Sequence, residues 1–267
     1  MSLTKLFRAL GLLTVLFASS CEHSAPARSP HESAPETQST LPVRVLCWKG
    51  AAPGLRRGAI GVMLENGEFR TARHVLEIHP GSGFFLKMYK SGFLDGKPVE
   101  WDTASAGDYA KFRAGSEGDD WTQLRLTPDP AIRGLPFDGT SDLPPGTHVV
   151  VVGFDQVVPA ITPQMTFDLE QRIVPATVVA TPPRRYRESD DTTGLAYLRP
   201  DAKGIRPGWS GAPVIAFGPD AKPRVVGTLI AVYTEKGTPA DPEAPNLDAV
   251  QYVTFVRSGP EEPAATK

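Results

Sequence analysis

The feature that most constrains the fold of this chain is a succession of short apolar, β-branched segments with no long amphipathic helix between them. Glycine, proline, aspartate and asparagine separate these segments, which is the pattern of strands joined by turns. The predicted strands cover residues 44–48, 59–64, 84–89, 121–126, 148–153, 172–180, 213–217, 224–232 and 251–256. This spacing predicts an all-β domain, either a barrel or a sandwich.

Turn chemistry marks two of the connections. Asn66-Gly67 lies between the apolar runs 62–64 and 69–71, and Asn-Gly is a strong short-range signal for a β-hairpin. A Pro-Pro-Gly turn at 144–146 precedes the continuous apolar run 149–152. That run predicts a strand buried on both faces.

The first 20 residues have the organisation of an export signal. Lys5 and Arg8 give a positive start, residues 9–17 form an apolar core too short to span a bilayer, and small residues at 18–20 precede Cys21. This arrangement resembles the lipobox of bacterial lipoproteins, which implies lipidation of Cys21 and anchoring in the cell envelope. The alternative is ordinary signal-peptidase cleavage after residue 20, without lipidation.

Composition predicts flexible segments on both sides of one folded domain. After the signal peptide (1–20), residues 21–42 are rich in Ser, Pro, Ala and Glu and predict a disordered tether. Residues 258–267 predict a frayed tail, which leaves a folded domain at 43–257. Once Cys21 is acylated, Cys47 is the only thiol left, and its apolar neighbours predict a buried structural cysteine.

Charge and motif content exclude several classes of partner. The formal net charge is -2 and no long basic run occurs, so we expect no nucleic-acid partner. No cluster has metal-ligand spacing and no glycine-rich phosphate-binding signature is present, so no metal or other cofactor is predicted. We expect an exported monomer in the periplasm or at the cell surface, attached to the membrane through a lipid anchor at Cys21.

Three short segments carry residue types suited to nucleophilic catalysis. A Thr-Ala-Arg-His segment ends at His74, an acidic pair, Asp119 and Asp120, opens the strand predicted at 121–126, and a Gly-Trp-Ser-Gly-Ala-Pro segment surrounds Ser210. A serine between glycines can lie on a sharply bent backbone whose N–H groups are free to stabilise an oxyanion. Each segment alone is a weak signal, and their joint order is the stronger one.

Taken in order, the three segments resemble the trypsin-like serine peptidases, which have the chymotrypsin fold. Thr-Ala-x-His, Asp-hydrophobic-x-x-Leu and Gly-x-Ser-Gly-x-Pro follow the His, Asp, Ser order of that class, which differs from the order in subtilisins and α/β-hydrolases. The resemblance covers about residues 58–256. It implies two six-stranded antiparallel β-barrels with the active site between them.

The resemblance also implies a role for each motif residue. Ser210 would be the nucleophile, His74 the general base and Asp120 the carboxylate that orients His74. The backbone N–H groups of Gly208 and Ser210 would form the oxyanion hole. Asp119 competes with Asp120 for the third role, and the family's hydrophobic residue directly after the catalytic aspartate selects Asp120.

Two further expectations concern the oxyanion loop and specificity. Trp209 stands where relatives activated from zymogens have an aspartate that pairs with a freed N-terminal amine, so we expect other contacts, such as packing of Trp209, to order this loop. By analogy the base of the primary specificity pocket is Gly204, and Ile230 and Val232 belong to its wall. The lack of an acid at Gly204 and the bulk of Val232 predict a preference for small or medium apolar side chains.

These observations favour an active serine endopeptidase that cleaves protein or peptide substrates. Two alternatives stay open at this point. The chain could be a catalytically latent member of the fold that serves as a protein-binding module, or an esterase that uses the same triad.

Overall fold

The computed structural model describes residues 41–49, 56–76, 90–128, 133–154, 170–186, 190–201, 204–206, 208–234 and 250–259. The strands of these ranges are β1 (Val43–Lys49), β2 (Arg56–Met63), β3 (Glu68–Thr71), β4 (Ser91–Leu94), β5 (Lys97–Ala106), β6 (Thr122–Thr127), β7 (His148–Phe154), β8 (Gln171–Val179), β9 (Leu195–Pro200), β10 (Pro213–Phe217), β11 (Pro223–Thr234) and β12 (Val250–Val256). The helices are α1 (Tyr109–Arg113) and three 3-10 turns, His74–Leu76, Glu117–Asp119 and Arg184–Tyr186.

The strands close into two antiparallel barrels of six strands each. The first barrel has the order β1-β2-β3-β6-β5-β4 and the second the order β10-β11-β12-β9-β8-β7. Both barrels lie in one compact unit. Closure gives each strand two neighbours, which removes exposed sheet edges. The predicted all-β fold of two six-stranded barrels is confirmed.

Strand β1 shows how one apolar segment serves both barrels. Val45 and Cys47 belong to the cluster that contains the core of the second barrel, whereas Leu46 and Trp48 pack in the cluster of the first barrel. Successive side chains of a strand point to opposite faces, so a strand between two cores must be apolar throughout. Cys47 is fully buried, as predicted.

The β2–β3 hairpin forms where the Asn-Gly signal predicts it. Val62 pairs with Arg70 across the two strands. In the turn, Asn66 Oδ1 accepts a hydrogen bond from the Glu68 N–H at 3.1 Å, and Gly67 has φ +80°. Glycine adopts that backbone conformation without a steric penalty, so the predicted hairpin is confirmed.

Sequence reasoning missed β4, β5 and β9. The β4–β5 hairpin turns at Asp95-Gly96, which have φ values of 48° and 80°, as a primed two-residue turn requires. Only Val99 and Trp101 of β5 are buried, so this strand lacks the apolar run that marked the others. The strand predicted at 84–89 lies outside the described residues.

The folded domain begins before the predicted boundary. Pro42, assigned to the tether, is buried, and its carbonyl accepts a hydrogen bond from the Met63 N–H at 3.0 Å. The Leu41 carbonyl accepts from Gln171 Nε2 at 3.1 Å. Donors of the barrels therefore bind the carbonyls of both residues, and the disordered tether stays a prediction. The signal peptide, Cys21 and the rest of the tether lie outside the described residues.

The domain also ends later than predicted. Ser258 was assigned to the frayed tail, but its carbonyl accepts a hydrogen bond from the Arg70 guanidinium. A Cβ on Gly259 would lie 2.4 Å from the Phe137 ring. A buried donor and an aromatic ring therefore contact these two residues, and the frayed tail stays a prediction. Residues 260–267 are outside the described part of the chain.

Candidate active site

Strands β3 and β6 bring His74 and Asp120 together at one end of the first barrel. Thr71 at the end of β3 pairs with Thr122 at the start of β6, so the residues just beyond them leave the sheet side by side. The His74 N–H donates to Asp120 Oδ1 at 2.9 Å, and His74 Nδ1 lies 2.6 Å from Asp120 Oδ2. Asp120 is only 6% exposed, so both of these bonds are shielded from water.

This two-point contact defines the chemistry of the imidazole. An ionised carboxylate only accepts hydrogen bonds, so the contact with Asp120 assigns the ring proton to His74 Nδ1. His74 Nε2 is then the nitrogen that can take a proton from a neighbouring group. The side chain of His74 is 34% exposed, so substrate can reach it.

The neighbouring carboxylate, Asp119, has a different task. Its Oδ1 accepts a hydrogen bond from the Asp108 N–H at 2.8 Å, and its own N–H donates to the Ser116 carbonyl at 3.2 Å. These bonds close the segment that carries α1. Of the two acids weighed from the sequence, the structure therefore brings Asp120, and not Asp119, to His74.

Ser210 lies on a turn of the second barrel that packs against the first. The next residue, Gly211, has φ +93° and donates its N–H to the Leu229 carbonyl at 2.8 Å. A Cβ on Gly211 would lie 2.1 Å from the Ile60 carbonyl oxygen and 2.3 Å from Thr71 Oγ1. The turn therefore reaches the end of β3 that leads to the histidine.

Ser210 itself is partly exposed. Although the turn approaches β3, no hydrogen bond joins Ser210 to His74 in the described part of the chain. The triad role of Ser210 stays a prediction from the sequence.

The backbone before Ser210 has the features of a type II turn. The Trp209 N–H donates to the Arg206 carbonyl at 3.2 Å, and Gly208 has φ +90°. A type II turn needs a positive φ at its third residue and favours proline at its second, and the sequence supplies Pro207-Gly208 there. Within the described ranges, neither the Gly208 nor the Ser210 backbone N–H donates a hydrogen bond, and their role as oxyanion donors stays a prediction.

Trp209 anchors this turn to the second barrel. Its side chain is 1% exposed, and its Nε1–H donates to the Phe154 carbonyl at 3.0 Å. The six-membered half of the indole covers Gly153, because a Cβ there would lie 2.4 Å from Cδ2. Packing of Trp209 therefore supplies the contact that the sequence led us to expect in place of an aspartate–amine pair.

An open cavity of about 600 Å³ lies next to His74 and Asp120. Ile230, predicted to bind substrate, lies on its wall together with Phe112, Ala114, Gly115, Ser116, Glu117 and Ala231. Gly204 and Val232 are not part of this lining: Gly204 lies beside Val174, and Val232 is buried in the core of the second barrel. Their specificity roles stay predictions.

Arg73 is a site residue that sequence reasoning missed. Its Nη1 donates to the Gly107 carbonyl at 2.6 Å, and its guanidinium lies 4.9 Å from the ring centre of Tyr109 and 5.6 Å from that of Phe112. Cations are attracted to aromatic faces at such distances. Arg73 directly precedes His74. It therefore fastens α1, whose Phe112 lines the cavity, to the segment that carries His74.

Arg70 on β3 is a second missed residue. It is fully buried, its Nε–H donates to Thr228 Oγ1 at 2.9 Å, and its guanidinium lies 4.9 Å from the Trp121 ring centre and 4.1 Å from that of Phe137. Burial lowers the pKa of Arg70 to about 9, because desolvation disfavours the charged form. A polar residue inside a short strand gives no sequence signal for such a position.

No group of three or more His, Cys, Asp or Glu side chains among the described residues is arranged to hold a metal ion. None of the described helices is long and apolar enough to cross a bilayer.

No protein-family model matches this sequence, and no curated protein matches it in a sequence search. Solved structures do match. The active form of the Rv3671c protease from M. tuberculosis is 18% identical, with a TM-score of 0.48 and coverage of 92% of this chain and 90% of that one. An inactive form of Rv3671c from M. tuberculosis H37Rv, a serine-to-alanine mutant, is 16% identical, with a TM-score of 0.47 and 82% of each chain covered.

Neuropsin, a serine protease expressed in the limbic system of mouse brain, is 13% identical to this chain. It superposes with a TM-score of 0.52 over 82% of this chain and 90% of its own. The chain has the chymotrypsin fold. At this identity the likeness establishes the chymotrypsin fold alone, and the activity has to be argued from the site.

Proposed function

We propose that this protein is a serine endopeptidase that hydrolyses peptide bonds with Ser210, His74 and Asp120. The observation that carries the proposal is the two-point hydrogen bonding of His74 by a buried carboxylate, at 2.9 and 2.6 Å. This arrangement orients an imidazole so that Nε2 can act as a general base. It lies at the end of β3, against which the turn that carries Ser210 packs.

The proposed reaction proceeds through an acyl-enzyme. Ser210 Oγ attacks the scissile carbonyl carbon while His74 Nε2 takes its proton, and the carbonyl oxygen becomes an oxyanion. The N–H groups of Gly208 and Ser210 would bind that oxyanion. His74 then gives the proton to the leaving amine as the C–N bond breaks. Water, deprotonated by His74, releases the new carboxylate and restores the serine.

The shape and lining of the cavity beside His74 indicate which class of substrate the site can bind. The cavity beside His74 is lined by apolar Phe112 and Ile230 as well as by polar groups, and it is open to solvent on one side. An open cleft suits an extended polypeptide better than a small enclosed ligand. We propose protein or peptide substrates and, with the predicted lipidation of Cys21, a position at the cell envelope.

A serine-directed fluorophosphonate probe tests the nucleophile. We expect the wild-type protein to be labelled on the peptide that contains Ser210, and the Ser210→Ala variant to remain unlabelled. Ser116→Ala is a matched control, because Ser116 lines the same cavity and has no proposed role in the reaction. Lack of labelling of the folded wild-type protein would contradict the proposal.

A second candidate function, a protein-binding module with a latent site, is favoured by one observation. Ser210 and His74 are not hydrogen-bonded to each other in the described part of the chain. Loose geometry is common in peptidases without substrate, so we rank this reading second. Hydrolysis of casein would exclude it, whereas turnover of short esters with no cleavage of casein would indicate an esterase.

A further inference from the structure

Arg70 is a buried cation without a carboxylate partner among the described residues. It is 0% exposed on β3, and desolvation by burial lowers its pKa. Its Nε–H donates to Thr228 Oγ1 and its Nη2 donates to the Ser258 carbonyl, while Nη1 has no hydrogen-bond partner. Rings of Trp121 and Phe137 lie against the guanidinium.

Such a group is costly for a protein core. Moving a cation out of water is strongly unfavourable unless hydrogen bonds and ring faces offset the lost hydration. An apolar side chain of the same length would fill this space without that penalty. The arginine therefore differs from an apolar residue chiefly in its directional contacts. These join the two barrels, because Arg70 lies on β3 of the first barrel and Thr228 lies on β11 of the second.

Two contacts of Arg70, with Trp121 and with Thr228, connect it to the two segments of the candidate active site. Trp121 directly follows Asp120 in the chain, and it packs in one cluster with Ala72 and Ile230. Its ring is therefore held between the guanidinium and the segment that leads to His74.

On the second barrel, Thr228 directly precedes Leu229. The Leu229 carbonyl accepts from the Gly211 N–H at 2.8 Å, and the Leu229 N–H donates to the Ala212 carbonyl at 2.9 Å. These two bonds hold the backbone directly after Ser210. The Arg70 guanidinium thus contacts Trp121, which follows Asp120, and Thr228, which precedes Leu229. The Leu229 backbone is the group that holds the Ser210 turn.

We propose that Arg70 is a positioning residue that holds Trp121, and through it Asp120, in register with β11 and the Ser210 turn. Its kinetic consequence rests on the proposed peptidase function, but its effect on the His74–Asp120 pair does not. Loss of the guanidinium frees the Trp121 ring and loosens Asp120, so the hydrogen bond at His74 Nδ1 weakens. The turn that carries Ser210 also becomes less well aligned with the pair.

The experiment compares Arg70→Met with Arg257→Met. Arg257 is the matched control because it also donates to a backbone carbonyl, that of Ser141, whereas in the described part of the chain its guanidinium neither bonds to Thr228 nor lies over the Trp121 ring. Thr228→Val is a milder variant that removes only the Nε acceptor and keeps the shape of the side chain. Circular dichroism and thermal melts establish that each variant is folded at the temperature of measurement.

Two readouts separate positioning from general stability. The proton NMR resonance of His74 Nδ1–H should broaden or disappear in Arg70→Met, weaken in Thr228→Val and persist in Arg257→Met. On an ester substrate, kcat should fall about 10- to 100-fold in Arg70→Met with less than about a two-fold change in KM, since small displacements of reacting groups have effects of this size.

The results have distinct meanings. A resonance that persists in Arg70→Met and Thr228→Val, or that is lost equally in Arg257→Met, overturns the positioning role. If Arg70→Met does not fold, Thr228→Val decides by the same resonance. An unlabelled, inactive wild-type protein would refute the peptidase proposal, whereas the resonance would still support or overturn the role of Arg70.

Discussion

Gly153→Ala should impair catalysis through Trp209, although residue 153 belongs to strand β7. A Cβ at this position would lie 2.4, 2.5 and 2.6 Å from three atoms of the Trp209 indole. Ordinary contact begins at 3.4 Å, so the ring has to move by about 1 Å. Trp209 is adjacent to Ser210, and the Trp209 N–H closes the turn that contains Gly208. The displacement therefore reaches both proposed oxyanion donors.

The size of the effect follows from that displacement. Misplacing catalytic groups by about 1 Å can reduce the rate about 100-fold, so kcat/KM on an ester substrate should fall to about 1% of wild type. Overpacking should lower the free energy of unfolding by about 1–3 kcal/mol, measured by urea denaturation. Gly153 has no positive φ, so alanine adds no backbone strain and the whole effect comes from the clash with Trp209.

Gly146→Ala is the matched control. Gly146 has φ +96° and open space around it, so alanine there costs about 1 kcal/mol of backbone strain without touching Trp209. It should retain wild-type kcat/KM. Combining Gly153→Ala with Trp209→Phe removes part of the clashing ring, so the two losses should be less than additive. A Gly153→Ala protein with wild-type kcat/KM would refute the idea that Trp209 sets the turn.

Three further predictions concern Gly211 and Thr71, where the two barrels meet, and Asp138, which lies between β6 and β7. Gly211→Ala should abolish fluorophosphonate labelling of the refolded protein, because its Cβ would lie 2.1 Å from the Ile60 carbonyl at a residue with φ +93°; normal labelling would contradict this. Thr71→Val should lower the free energy of unfolding by about 1–3 kcal/mol, since the Thr71 hydroxyl donates to that buried carbonyl at 2.7 Å; an unchanged urea midpoint would count against it. Hydrogen bonds from Ser141 hold the pKa of Asp138 below its usual value, so the stability that the ionised Asp138 contributes is present above about pH 4 and is lost as the pH falls further. Asp138→Asn should therefore flatten the decrease of Tm below about pH 4. An unchanged slope of Tm against pH would exclude this contribution.

Local signals account for most of the fold that could be predicted. The Asn66-Gly67 signal located its hairpin because glycine accepts the positive φ, +80°, that the turn requires at Gly67. Strand β5 was missed because only Val99 and Trp101 are buried, which leaves too little apolar pattern, although the Asp95-Gly96 turn before it carried a usable signal.

In the candidate site, too, some assignments had support from local sequence patterns and others did not. Motif spacing favoured Asp120 over Asp119, and the structure places Asp120 in hydrogen-bond contact with His74. The specificity roles of Gly204 and Val232 came from family analogy alone, and no local pattern in the sequence tests them.

The sequence by itself determined the alternation of strands and turns, the order of the three motifs around His74, Asp120 and Ser210, and the departure at Trp209. These are local properties of neighbouring residues. Only the tertiary structure decided what Trp209 binds in place of an ion pair, and that Arg70 reaches Thr228, 158 residues away. Such contacts depend on how two closed barrels pack against each other, and pairs so distant in the chain leave no periodicity or spacing from which they could be derived.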